Sequence, residues 1–393
     1  MRDVFVLSAV RTPIGKFGGA FAGLSAADLG TAAARGALAR SGASPADVTE
    51  VIFGHSRQAG GGPNSARQVA HRAAVPDSVP AFTVNKACAS SLKAITLGAL
   101  SIAAGENEVV LAGGHECMSA TPYLLPRARF GYRMGNAELV DGMTRDGFLC
   151  PLCGELMGET AERLAREYGI SREEQDRWAV ESQRRAAAAQ EAGKPAGEIV
   201  PVEVETRKGK TVVSADEHPR PETTLESLSR LPPVFAPDGT VHAGNASGIT
   251  DGAAALVLAS RDYAAARGLS PLARVVSWTA VGVDPARMGI GPVPAVRRLL
   301  EKTGLRLADI DLIELNEAFA AQVIACERDL GLDRERVNVN GGAIALGHPI
   351  GGTGARIATT LLHEMARRGS RRRIATLCVS GGMGMAVLFE SAR

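Results

Sequence analysis

Through the first third of the chain, short apolar runs alternate with alanine-rich stretches of helical spacing, the pattern of strands joined by crossover helices. Residues 4–10 (VFVLSAV) predict a buried strand, and residues 25–40 a helix with Ser25 as N-cap and Gly42 just past its end. Further strands are predicted at 51–53, 81–84 and 109–112. The helix predicted at 89–104 carries apolar residues on nearly every side (Leu92, Ala94, Ile95, Leu97, Leu100, Ile102), so it is expected to be central and buried.

From residue 121 to 242 the pattern changes to one richer in charge and proline. A long helix is predicted there, opened by the capping box Ser171-Arg172-Glu173-Glu174 and running to about residue 190. Arg207, Lys208 and Lys210 around Gly209 read as a solvated hairpin turn, and Pro219-Arg220-Pro221 stiffens the loop that carries Arg220. The first pattern then returns. Gly42-Ala-Ser-Pro-Ala-Asp47-Val-Thr-Glu-Val51 lines up with Gly304-Leu-Arg-Leu-Ala-Asp309-Ile-Asp-Leu-Ile313, and the strand at 109–112 with 374–377. A duplicated α/β unit with an insertion is predicted: a first half at 1–120, an inserted domain at 121–247 and a second half at 248–393.

Composition narrows the classes of function. With 393 residues, 45% hydrophobic and 22% charged, the chain can bury a large core, which excludes disorder and coiled coil. A net charge of +2 provides no overall field for wrapping nucleic acid or coating an anionic membrane. Six cysteines are too few for a disulfide scaffold, and the opening MRDVFVLSAVRTP lacks a secretory layout, so reduced thiols in a cytoplasm are expected. The longest weakly polar stretch, 92–105, is interrupted by Lys93, Thr96 and Ser101 and is expected to be too short to span a bilayer.

Four residues with usable chemistry fall beside predicted strand ends, where ligands sit in α/β sheets. Cys88 lies where a strand gives way to the central helix, and the helix N-terminal amides are expected to favour its thiolate. His348 sits in the glycine-dense string Asn340 to Gly354, which contains no GxxxxGK[ST]; a histidine fixed in such a loop suits a general base. Cys378 ends a strand, and the glycines after it let backbone N–H groups turn toward a reacting oxygen. Asn316 stands where another strand meets a helix. Each of the four also has a purely structural reading as a packed core or loop residue. Cys150 and Cys153 form a C-x-x-C with no second pair or nearby histidine to complete a metal site, and Cys117 and Cys326 read as packing residues.

VNKACAS around Cys88, GNASG at Gly244, NEAFA at Asn316, NVNGGAIALGHPIGGTGAR from Asn338 and CVSGGMG at Cys378 resemble, in order, the signature set of the thiolase family. The likeness runs over essentially the whole chain. It implies a five-layered α/β/α/β/α fold, and an acyltransferase that reversibly condenses two acetyl-CoA molecules to acetoacetyl-CoA. The resemblance makes Cys88 the acylated nucleophile, His348 its base and Cys378 the acid/base that exchanges the acetyl-carbon proton. Asn316, through a water, would hold with His348 the oxygen of the incoming thioester, while the amides of Cys88 and Ser380 would hold that of the acyl-enzyme. It further implies that Arg220 and Ser227 lie near the adenine and phosphates of coenzyme A. Ala243, Gly244 and Ser247 would border the pantetheine, with Met157, Met288, Ala318 and Phe319 at the acyl end. No metal or cofactor is implied, coenzyme A thioesters being substrates; the partners are acyl-CoA molecules and one or three further copies of the chain. Two positions depart from the commonest family form. Ser380 stands where glycine is usual, and Leu156 where acetoacetyl-specific members commonly place histidine. A broad 3-ketoacyl-CoA thiolase stays open as an alternative. A decarboxylating ketosynthase would lack a Cys378 counterpart, and a non-catalytic lipid carrier on this fold would be expected to have lost Cys88 or His348.

Overall fold

A computed structural model describes residues 2–207 and 209–392. The first half runs β1 (Val4–Arg11), β2 (Gly15–Lys16), α1 (Ala26–Ser41), β3 (Glu50–Gly54), α2 (Ser65–Arg72), β4 (Ala81–Val84), α3 (Ser90–Ala104) and β5 (Val109–Cys117). Ser25 and Asp28 cap α1 reciprocally, and Gly42 ends it at φ 73°, a left-handed position that suits glycine. Strand β3 pairs in parallel with both β4 and β5, so each pairing needs a crossover; α2 and α3 supply them.

The insertion holds the short strands β6 (Tyr123–Leu124) and β7 (Val140–Asp141), then α4 (Met157–Glu167) and α5 (Arg172–Glu191). It continues through the hairpin β8 (Val202–Thr206) and β9 (Gly209–Val213) to α6 (Leu225–Ser229). Arg207 is exposed at the predicted hairpin turn; Lys208 lies outside the described residues. The chain then returns as β10 (Thr250–Ser260), and here the expected boundary at 247/248 fails. Strand β10 is buried at every position and pairs antiparallel with β1 on one side and β5 on the other, so it belongs to the first half's sheet.

The second half follows as α7 (Arg261–Ala266), β11 (Ala273–Gly282), α8 (Pro292–Thr303), β12 (Leu312–Leu315), α9 (Ala320–Leu330), α10 (Ala343–Leu346), α11 (Thr353–Arg368), β13 (Arg372–Val379) and β14 (Met383–Ser391). The strand order is β12-β13-β14-β11-β1-β10-β5-β3-β4, with β2 beside β10. Its two halves repeat one plan: β5-β10-β1 and β13-β14-β11 are antiparallel, and β3 and β12 join them in parallel. Only Val4 to Val6 of β1 bridge the halves, opposite Ala273 to Val275 of β11.

Three apolar cores give five layers. Helices α1 and α2 cover the outer face of the first half-sheet through Leu29, Ala33 and Val69. Helices α8 and α9 cover the second through Val296, Leu299 and Val323. Between the half-sheets, Leu92, Ile95 and Ile102 of α3 meet Ile357, Leu361 and Leu362 of α11. Each such side chain contributes about 1.5–3 kcal/mol when fully buried. The stretch Ala87–Ala104 has, against expectation, the length and mean hydropathy (1.5) of a membrane span; its apolar residues instead face this middle layer, although Leu100 is 45% exposed.

Candidate active site

The two middle-layer helices begin at the site. After β4, Asn85 accepts the Ala87 N–H at 3.0 Å and donates to the Ser56 carbonyl at 3.0 Å. Ala87 is held at φ 46°, a left-handed conformation costing a non-glycine residue roughly 1–2 kcal/mol. Ser90 locks the elbow: its hydroxyl accepts the Lys86 N–H at 2.9 Å and donates to the Ala87 carbonyl at 2.6 Å. Gly54, at the end of β3, lies so close to α3 that a Cβ there would come within 2.3 Å of the Ser91 nitrogen. Cys88 is thus presented, half-buried, just before the start of α3.

Burial pushes the Cys88 thiol above its ordinary value, against the pull of the Ser380 N–H, the Arg57 charge and its own N–H. The expected net preference for thiolate is therefore reversed: desolvation outweighs the helix amides. The Ser380 and Cys88 N–H groups are the pair that the family resemblance assigned to an acyl oxygen.

In the second half, α10 leads to Gly347 at φ 98°, where a Cβ would lie 2.3 Å from the Thr250 methyl. The next residue, His348, is 6% exposed and donates its backbone N–H to the Gly248 carbonyl at 3.2 Å. Its Nδ1 lies 2.6 Å from the Thr353 hydroxyl, which itself donates to the Pro349 carbonyl at 3.0 Å. With that hydroxyl proton committed, Nδ1 carries the ring hydrogen and Nε2 is left as the acceptor. Burial, followed by the Arg356 and Arg57 charges, lowers the imidazole to about 3, so the ring is neutral at rest.

Cys378 closes β13 opposite Gly384 and is 1% exposed. Burial first, then the neighbouring Cys88 and Cys326, raises its thiol well above the ordinary range. The turn that follows takes left-handed dihedrals only at Gly381 (83°) and Gly382 (78°), so Ser380 occupies the usual glycine position without backbone strain. Asn316 follows β12, its backbone N–H bonded to Thr376. Its side chain is buried, yet neither the amide oxygen nor the nitrogen has a partner, a deficit of about 1–3 kcal/mol that a bound oxygen would relieve. Sequence reasoning passed over the adjoining Glu317. Its carboxylate accepts from Trp178, Ser182, Asn338 and the Ile344 N–H, tying the insertion to the loops that carry Asn316 and α10.

A cavity of about 930 Å³ opens beside these residues. Arg220, Ser227, Ala243, Gly244, Ser247, Met157 and Phe319 line it. Met288 and Ala318 lie one layer behind, in the apolar cluster that also holds Cys378 and Cys150. The cavity wall is continuous with the site: Ser247 donates to the Ala318 carbonyl at 3.0 Å, and the next residue, Gly248, receives the His348 N–H. Lys16, Phe148 and Phe235 also line it and had no local signal in the sequence; Phe235 is recognisable only because its ring fills the space above Gly158. Leu156 gives the wall an apolar face. Cys150 and Cys153 are free thiols. Cys117 and Cys326 are buried, donate to the Leu24 and Gly289 carbonyls and are pushed up to about 12, as packing residues would be.

Two thiols, a neutral imidazole with an accepting Nε2 and an unpaired amide, on segments that adjoin the cavity wall, define a cysteine-dependent acyl-transfer centre. The chain belongs to the thiolase family: the thiolase N-terminal domain matches residues 4–262 and the thiolase C-terminal domain residues 269–391. It is 53% identical over 388 residues to an acetyl-CoA acetyltransferase of Pseudomonas aeruginosa, covering 98% of this chain and 99% of that one. The crystal structure of the Bacillus anthracis acetyl-CoA acetyltransferase superposes with a TM-score of 0.98 at 47% identity, over 100% of this chain and 99% of the other. Human mitochondrial 3-ketoacyl-CoA thiolase in complex with CoA gives 0.96 at 45%, over 100% and 98%.

Proposed function

We infer that the protein is an acetyl-CoA C-acetyltransferase, converting two acetyl-CoA to acetoacetyl-CoA and CoA through an acetyl group on Cys88. The observation that carries this reading is the unsatisfied buried amide of Asn316, which leaves a donor and an acceptor open to a bound water or thioester oxygen.

In the first half-reaction His348 Nε2 takes the Cys88 proton and the sulfur attacks the acetyl carbonyl. The Cys88 and Ser380 amides hold the tetrahedral oxyanion. The carbon–sulfur bond to CoA breaks, and Cys378 gives the departing CoA sulfur its proton. The second acetyl-CoA then enters with its thioester oxygen against protonated His348 and a water on Asn316. Cys378, now a thiolate, removes a methyl proton, and the carbanion attacks the acetyl group on Cys88. As that carbon–carbon bond forms, Cys88 leaves as thiolate and recovers its proton from His348, so every group returns to its starting state. The imidazolium, disfavoured at rest by burial, exists only while a thiolate, oxyanion or enolate stands beside it.

Coenzyme A would take the cavity, with Arg220 and Ser227 toward its adenine and phosphates, Ala243, Gly244 and Ser247 along the pantetheine, and Met157, Met288, Ala318 and Phe319 around the acyl end. The scheme calls for no metal or further cofactor. Because Cys88 and Cys378 must remain free thiols, the proposal places the enzyme in a reducing cytoplasm; assembly as a dimer or a dimer of dimers rests on family likeness. Leu156 and Phe148 in the cavity wall favour a second reading, a broader 3-ketoacyl-CoA thiolase. Thiolysis of acetoacetyl-CoA and 3-ketohexanoyl-CoA by the purified enzyme decides between them: a strong preference for the shorter substrate supports the acetoacetyl reading, and comparable rates overturn it.

A further inference from the structure

Arg57, two residues before the AGGG stretch, has no place in the scheme above. Its side chain is 6% exposed, and none of its three guanidinium nitrogens has a hydrogen-bond partner. A buried cation in that condition is costly, and the nearby carboxylates leave it so. Glu116 is occupied by the Ser56, Arg57 and Gly351 N–H groups and by His55 Nε2 at 3.3 Å. Asp141 accepts from Met143 and Thr144, and half-exposed Asp146 faces Arg145. The guanidinium is held instead over the Phe148 ring, 4.7 Å from its centroid. Gly147 is so close that a Cβ on it would fall 2.0 Å from Nη2. Arg356, the other buried arginine acting on His348, likewise lacks hydrogen-bond partners but has the Glu314 carboxyl group at 3.8 Å.

Its position explains what the charge can act on. Strands β3 and β4 run in parallel with Gly54 opposite Val84, and Asn85 bonds the Ser56 carbonyl, so the segment bearing Arg57 lies beside the one bearing Cys88. The His348 loop closes the third side: a Cβ on Gly351 would lie 3.0 Å from both the His55 Cα and the Ser56 nitrogen.

We propose that Arg57 is a positioning residue for the nucleophile, a buried positive charge that no carboxylate engages by a hydrogen bond, left able to accompany the negative charge formed on Cys88 during each turnover. This rests on Cys88 being the acylated group. The charged and titratable neighbours sort by sign. Arg57 and the Ser380 N–H favour the Cys88 thiolate, whereas Glu116 opposes it and Cys378 adds a competing thiol. Lys86, on the same elbow, is engaged by Met383 Sδ at 3.5 Å. On His348 the same charge disfavours the imidazolium. Arg57 thus shifts both partners toward thiolate beside neutral imidazole, and discourages the proton from resting on the histidine.

The test is the pH dependence of iodoacetamide alkylation at Cys88, followed by peptide mass, in the wild type, Arg57→Leu and Arg57→Lys. In Arg57→Leu the apparent thiol pKa should rise by about one unit, slowing alkylation at neutral pH about tenfold. Arg57→Lys should fall between, and the melting temperature of Arg57→Leu should hold or rise, because an unpaired buried charge has been removed. An unchanged alkylation profile, or Lys and Leu variants that behave alike, overturns the proposal. If Arg57→Leu does not fold, the Lys variant and Arg57→Gln carry the same comparison. A wild type that alkylates as predicted but never cleaves acetoacetyl-CoA would instead overturn the functional reading.

Discussion

The chain turns into the middle layer twice from equivalent places in the repeat, once at residues 84–90 before α3 and once at 340–353 before α11, and the two approaches are built differently. The first is a tight elbow, strained at Ala87, that leaves Cys88 half-buried with backbone donors at its sulfur. The second inserts α10 and a short turn at Ile350–Gly352, and buries His348 against Thr353. On the proposed mechanism, one scaffold delivers a nucleophile from one half and a base from the other. Burial acts on both in the neutral direction, raising the thiol and lowering the imidazole, so charge must be generated by proton transfer at the moment of reaction.

The largest test of that division is Cys88→Ala, which should abolish acetyl transfer to the protein. Labelled acetyl still bound covalently to that variant would break the assignment of the nucleophile to the first elbow. His348→Asn should lower the acylation rate by about 10²–10⁴, the range of general acid–base catalysis, in a stopped-flow assay of CoA release. A smaller loss would mean that the second loop supplies shape rather than a base. Cys378→Ser should still acylate while exchange of the acetyl protons with deuterium slows; unchanged exchange would remove Cys378 from its role. Asn316→Ala should cost about 10²–10³ in condensation, as removal of one oxyanion donor does, and leave acylation of Cys88 near its wild-type rate.

Local rules made some parts of the molecule more legible than others. Ser25, Gly42 and the capping box at Ser171 act within one helical turn, and the structure places all three where the sequence did. Motifs around Cys88, His348, Cys378 and Asn316 were likewise readable. Strand β10 was missed because a strand buried on both faces has no alternation, and both of its partners lie far off in the sequence. Arg57 gave no signal for a related reason. Its meaning comes from what fails to meet it, and a guanidinium left without hydrogen-bond partners can be seen only after Phe148, Glu116 and Cys88 are brought together. The thiolate expected at Cys88 came from counting helix amides without the cost of burial, which only the packed layer reveals.

The smallest effect separates the elbow from the loop by the sign of their pH dependence. His348 is lowered from an ordinary 6.5 to about 3, so between those values the unfolded chain binds a proton that the folded chain does not. Stability from this group is complete above pH 6.5 and falls as the pH drops, by about 2 kcal/mol at pH 5 for a single group so shifted. Cys88 is raised above an ordinary 9.0, so the unfolded chain loses its proton first and stability falls as the pH climbs past 9. Urea midpoints measured from pH 5 to 10 should therefore show His348→Asn losing less than wild type on the acid side only, and Cys88→Ala losing less on the alkaline side only. Since His115 is also held low by burial, the acid limb should flatten in His348→Asn without vanishing. An acid limb identical in wild type and His348→Asn would mean that the second loop does not bury a neutral imidazole, and the contrast between elbow and loop would reduce to chain geometry.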